Sequence, residues 1–244
     1  MMKRDETIEK VLDAALSQWH GELSLEIRGK LQLFIGEQLK WIKIFHTVGR
    51  NEAEKTLADQ IRDSLEMLQF SSAIFVDETG SGVVPGAGAV ERAGAVSHDG
   101  RNEGTGAGEC RVVDIGTGFG FPGFVWKIVE DGLDVTLVER KERAATFLER
   151  LAFSMKLSGL AILRCDAEKD EIPGKFHVVT SKAAGRLGKM LPLAAKLLEP
   201  GGLYVTIKER DWKWELEGIK TPAMALLKEK TIDGDRGVLV AFRK

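Results

Sequence analysis

Residues 114–123 read Asp-Ile-Gly-Thr-Gly-Phe-Gly-Phe-Pro-Gly and follow directly on the apolar pair Val112-Val113. Glycines at 116, 118 and 120 let a backbone turn sharply and approach a ligand without a Cβ in the way. In the dinucleotide fingerprint G-x-G-x-x-G a pyrophosphate rests on the helix N-terminus. Here the third position of that fingerprint is Phe121, and Pro122, well placed for a first helical turn, brings no N–H. The strict nicotinamide pattern fails. Asp114, at the strand end, instead suits a ligand with a cationic amino-acid moiety, held directly or through water. Glu139 closes a second apolar run, Val135 to Val138. It lies about 20 residues beyond the loop, where a carboxylate accepts hydrogen bonds from both ribose hydroxyls. Cys165-Asp166-Ala167-Glu168 follows a third apolar run and is placed to bracket an adenine. Glu139 alone fits NAD or an adenosyl cofactor. The ordered set, with Pro200-Gly201-Gly202 ahead of a further strand, points to S-adenosyl-L-methionine and methyl transfer.

The elements that must position these residues are legible in outline. Up to about residue 76 the pattern is helical: Ile8, Val11, Leu12, Ala15 and Leu16 form one apolar stripe. A second run carries Leu31, Leu33, Phe34, Leu39, Trp41 and Ile42. A third, with Asn51 as its expected cap, carries Leu57, Ile61, Leu65 and Leu68. Residues 77–109 are punctuated by glycine among Ala, Ser and Val, with few large apolars to offset chain entropy, and read as a flexible insertion. A phosphate cradle is the alternative there, but regular spacing and a flanking strand and helix are missing. From residue 110 to 244 short apolar runs alternate with helical stretches such as 143–157 and 187–198, the signature of βαβ units. Met224 to Ile232, then Asp233-Gly234, then Val238 to Phe242 predict a closing antiparallel hairpin. The expected fold is α/β: a Rossmann-like class I methyltransferase with a mainly parallel seven-stranded sheet and an N-terminal helical lobe.

Composition removes several classes. With 43% hydrophobic and 30% charged residues, the 244-residue chain can build a core of useful size. A formal net charge of -2 supplies no global field for nucleic acid, so a polyanion must meet local Lys/Arg clusters. Cys110 and Cys165 lie far apart, the four histidines show no metal spacing, and no metal is expected. The start lacks a signal-peptide pattern and no apolar run reaches roughly 18 residues, so the expectation is a cytoplasmic protein without membrane attachment, a monomer.

The loop at 114–123, Leu137-Val138-Glu139, Lys141-Glu-Arg-Ala-Ala-Thr-Phe-Leu148 and Pro200-Gly-Gly-Leu-Tyr-Val-Thr-Ile-Lys208 closely resemble the bacterial small-subunit rRNA guanine-N7 methyltransferases, the glucose-inhibited division protein B family. Leu39-Lys40-Trp41 and Ile61-Arg62-Asp63-Ser64-Leu65 also look like that family's helices. The resemblance implies cofactor contacts at Gly116, Phe121, Ala167, Glu168 and the position of Lys182, and a guanine of 16S rRNA in the small ribosomal subunit as substrate. Asp59-Gln60 stands where the family has Arg-His, Cys165-Asp166 where it has Gly-Arg, and Lys182 where it has Arg. Lys keeps the charge at 182 but not the planar fork. The reversals to acid at 59 and 166 remove potential RNA contacts. They motivate two alternatives, a cofactor-binding regulator or scaffold and a methyltransferase on another substrate; a nicotinamide oxidoreductase is a third reading. Guanine N7 carries a lone pair and no proton, so catalysis would rest on orientation and a preorganised site. No catalytic group is assigned. Lys182 and Arg186 are candidates to position the substrate, with solvated loop charge as the alternative for each; Lys208 and Arg210 share that ambiguity. Trp212 and Trp214 either stack on a base or serve as packing. Lys40, Lys43 and Arg50 form a basic surface or a solvated helix face.

Overall fold

The structure, a computed structural model, describes residues 2–17, 19, 21, 23–45, 50–79, 110–219, 223–232 and 236–244. Three helices come first: α1 (Met2–Leu16), α2 (Leu25–Phe45) and α3 (Arg50–Thr79). Asn51 lies inside the first turn of α3 rather than before it. Residues 77–79 end α3, and the rest of the expected insertion lies outside the described residues. There follow β1 (Cys110–Ile115), α4 (Gly123–Val129), β2 (Leu133–Val138), α5 (Glu142–Met155), β3 (Leu160–Leu163), β4 (Phe176–Lys182), α6 (Leu187–Leu197) and β5 (Leu198–Lys208). A short 3-10 helix (Trp212–Leu216) leads to β6 (Ala225–Ile232) and β7 (Gly237–Arg243).

The seven strands form one sheet in the order β3-β2-β1-β4-β5-β7-β6. Strands β1 to β5 run parallel, whereas β7 pairs antiparallel with both β5 and β6. The expected α/β class and the closing hairpin are both present, with β7 inserted between β5 and the edge strand. That position explains its sequence: Val238 to Phe242 is apolar throughout because both faces are covered, while β6 is exposed over most of its length.

Strand periodicity assigns each residue to a layer. Val112, Leu137, Val178, Leu203 and Leu239 belong to one apolar cluster; Val113, Val138, Val179, Tyr204 and Val240, one residue further on, belong to the other. The first cluster is covered by α4 and α5 and the second by α6. The helical lobe is continuous with the first. Val11, Leu12, Leu31, Phe34, Ile61 and Leu65 share one core with Phe124, Val135 and Leu148, and the Trp126 indole N–H donates to the Ser64 carbonyl at 2.7 Å. The amphipathic stripes read from the sequence thus pack as a third layer on the sheet rather than around a core of their own. Among the described residues no helix is long and apolar enough to cross a membrane.

Candidate functional site

The strand order reverses between β1 and β4, and ligands of open α/β sheets bind outside the carboxyl ends of the strands at that point. A groove of about 290 Å³ opens there. Its walls are Ile115 and Gly116 after β1, Val138 to Lys141 after β2, Cys165 to Glu168 after β3, Ala183 and Ala184 after β4, and Met190 and Leu193 of α6. Sequence position alone had marked Gly116, Glu139, Ala167 and Glu168, and the fold brings these four to one groove. The apolar wall from α6 was not identified. Met190 and Leu193 fall three residues apart, so helical spacing was the signal that puts both on one face.

Parallel register explains how the loop and the acid meet. Ile115 lies opposite Val138, so the residues that follow each strand emerge side by side. Gly116 and Thr117 donate their N–H groups to the Val138 carbonyl at 2.9 and 3.1 Å. Glu139, buried, accepts from Gly118 N–H at 2.9 Å through Oε2 and from Lys141 N–H at 2.7 Å through Oε1. The carboxylate therefore first holds the loop. Its remaining lone pairs are what it has to offer a ribose.

Asp114 sits beneath the loop, fully buried. Its Oδ2 accepts the Gly123 N–H at 2.9 Å, and Oδ1 is buried without a partner, as is Thr117 Oγ1, which is close by without reaching hydrogen-bond geometry. A side chain at Gly123 would force its neighbours to shift, since its Cβ would lie 2.6 Å from Leu137 Cδ2 and 2.8 Å from Asp114 Cβ. Burial pushes the Asp114 pKa up to about 6, against the pull of the Thr117 hydroxyl and the Gly123 N–H. Asp114 itself does not line the groove but lies under the loop that does. Because the folded pKa is raised above 3.8, the protonated form favours the fold: this contribution is complete below about pH 4 and is lost as pH rises through about 6. Asp114→Asn should therefore flatten the pH profile. From pH 4 to pH 8 the stability of the variant, relative to wild type, is expected to rise by about 2 kcal/mol in urea unfolding. Identical profiles would show that Asp114 is not the titrating group.

The other expected contacts are placed elsewhere. Gly118 and Gly120 shape the loop but do not line the groove. Phe121 packs edge-on against Phe34 of α2, with ring centroids 5.4 Å apart, and Pro122 is buried at the N-cap of α4. Lys182 turns away to α3. Its Nζ lies 2.7 Å from Asp63 Oδ2 and donates to Gln60 Oε1 at 2.7 Å. Burial pulls its pKa down while Asp63 opposes this. The next residue, Ala183, has φ of 54° and lines the groove. Left-handed backbone in a residue with a Cβ costs about 1 kcal/mol, strain held at the site's edge.

The structure separates the two tryptophans. Trp212 is 1% exposed and packs on Phe242, whereas Trp214 is 47% exposed with the Arg186 guanidinium 5.1 Å from its ring centre. Arg186 precedes α6 and lies two residues beyond the groove-lining Ala184. Lys208 is committed to Glu215 at 2.8 Å, and Lys189 to Glu168 at 3.2 Å. Lys40 pairs with Glu37, which favours the solvated-face reading for that lysine, while the side chains of Lys43 and Arg50 lie outside the described residues. Among the described residues no group of three or more His, Cys, Asp or Glu is arranged to hold a metal.

The chain is 36% identical over 109 residues to a ribosomal RNA small subunit methyltransferase G of Sorangium cellulosum, covering 43% of this chain and 46% of that protein. To the protein of the same name from Nocardioides it is 39% identical over 100 residues, covering 41% and 40%. The chain thus spans about half the length of the curated relatives it matches. Among solved structures it is similar to TrmN from Thermus thermophilus, with a TM-score of 0.48 and 20% identity over 56% of this chain and 44% of that one. The family described as GidB, rRNA small subunit methyltransferase G, matches residues 102–233, more than half of the sequence, and the chain belongs to that family.

Proposed function

We propose that the protein uses S-adenosyl-L-methionine to methylate N7 of a guanine in 16S rRNA, as part of rRNA processing. The observation that carries this reading is the groove at the β1/β4 switch point, which gathers the Gly116 turn, the Glu139 carboxylate and the Ala167-Glu168 segment in one place. Relatives named for methylation of small-subunit rRNA support the choice of substrate. When bound, the cofactor supplies an electrophilic methyl group on a sulfonium. The chain's part is to hold and orient. Glu139 would hold the ribose, the segment 166–168 would flank the adenine, and buried Asp114 would supply negative charge beneath the loop. Guanine N7 has no proton to remove, so the site needs no general base and rate depends on near-attack orientation.

In this reading Arg186 and Trp214 receive the target base: both are exposed, the Arg186 guanidinium lies 5.1 Å from the Trp214 ring centre, and Arg186 follows the groove-lining Ala184 by two residues. Base–aromatic stacking contributes about 1–3 kcal/mol per base. Trp214→Ala is expected to lower kcat/KM for the RNA roughly 10-fold and leave binding of S-adenosylhomocysteine unchanged. Methylation of 30S subunits lacking the mark, followed by mapping of the modified base, tests the whole reading. Cofactor binding without any product on 30S subunits would count against the substrate and favour a regulator or scaffold.

A further inference from the structure

Gln38 is an anomaly in α2. It is 2% exposed on a helix whose neighbouring positions, Phe34, Ile35 and Leu39, are core residues. A buried amide is costly unless its polar atoms are used. Its Nε2 donates to the Phe119 carbonyl at 2.6 Å, across 81 residues of sequence. Phe119 lies between Gly118 and Gly120, so this bond orients the peptide linking Phe119 to Gly120. One turn along, Trp41 extends the contact. Its ring lies 6.4 Å from Phe119 and 4.9 Å from Phe147 of α5, and Phe119 and Phe147 meet at 5.8 Å. The loop is thus held from two sides: from the sheet by Glu139 on the Gly118 N–H, and from the lobe by Gln38 on the Phe119 carbonyl. Among the described residues, none of α1, α2 or α3 lines the groove.

We infer that Gln38, assisted by Trp41, is a positioning residue for the cofactor loop, so that the helical lobe sets the ligand affinity of a groove it does not line. The inference rests on the reading that this groove takes the adenosyl cofactor. Physically, three glycines within five residues make the loop entropically expensive to order. Each bond that pre-orders it in the free protein removes a cost otherwise met on binding.

The test uses the full chain with Gln38→Met, which keeps the side chain's length and removes the donor, and Trp126→Phe as control. The control removes another hydrogen bond to the lobe, that from the Trp126 indole of α4 to the Ser64 carbonyl, and leaves the Gln38 and Glu139 bonds to the loop in place. Calorimetry with S-adenosylhomocysteine should show about 5-fold weaker binding in Gln38→Met, the worth of one hydrogen bond. The control should lose comparable thermal stability and stay within about 2-fold of wild-type affinity. Amide hydrogen exchange at Gly118, Gly120 and Phe121 should accelerate only in Gln38→Met. Unchanged affinity in Gln38→Met, or equal loss in the control, overturns the inference. If wild type binds no adenosyl ligand, the cofactor reading fails; the exchange comparison still decides, since unaltered exchange at 118–121 refutes the positioning role. Should Gln38→Met not fold, Trp41→Leu carries the same comparison.

Discussion

Gly116→Arg is expected to abolish binding of S-adenosylmethionine and S-adenosylhomocysteine while leaving the protein folded. Two effects act together. Gly116 has φ of +69°, so any side chain there costs about 1–2 kcal/mol of backbone strain. Its Cβ would also meet Ala184 Cβ at 3.1 Å, on the opposite wall of the groove. An arginine continuing from that Cβ must run into a space of about 290 Å³ and bring a positive charge to the groove proposed to take a cationic ligand. The strain alone is too small to unfold a typical domain, but steric exclusion has no such ceiling, and affinity should fall by about 100-fold or more. Calorimetry with both adenosyl ligands and NAD, alongside thermal unfolding, checks this. Retained adenosyl binding by the variant would remove the groove as the site, and NAD binding by wild type would revive the oxidoreductase reading.

Asp63→Ala should be the most destabilising single change outside the apolar core. Asp63 of α3 bridges two cations, Lys182 at 2.7 Å and Arg236 at 2.8 Å, and Arg236 also pairs with Glu66. Asp63 and Lys182 are each only 13% exposed at the side chain. A buried ion pair adds little over an apolar replacement, yet removing one partner strands the other, at about 3 kcal/mol or more. The loss should be greatest at neutral pH. Burial already holds the Lys182 pKa below the ordinary lysine value, and without Asp63 it drops further. Raising the pH then discharges the stranded lysine and recovers part of the stability. Urea unfolding at pH 7 and at about pH 9.5 measures both; a loss below about 1 kcal/mol at neutral pH would mean the network is solvated.

This network also gives two departures from the family pattern a physical context. Gln60 and Lys182, read separately from the sequence, are in contact, with Lys182 donating to Gln60 Oε1. The two positions thus meet in one contact between the helical lobe and the end of β4.

Local chemistry made much of this protein legible before any coordinates. Gly116, Gly118 and Gly120 all take positive φ, and the acid after the second strand accepts the Gly118 N–H, so the tight turn read from the glycine spacing is present. The strand–helix alternation and the closing hairpin were readable for the same reason: hydrophobic period reports which face is buried. Tertiary structure decided where each side chain goes once several elements compete for it. Phe121 is claimed by Phe34, Lys182 by Asp63, and Trp212 by the core while Trp214 stays exposed. The helical stripes were visible, but not that they would pack onto the sheet and reach the glycine loop through Gln38. Periodicity states that a face is covered; only the assembled layers determine by what, because that choice is made by contacts between residues far apart in the chain.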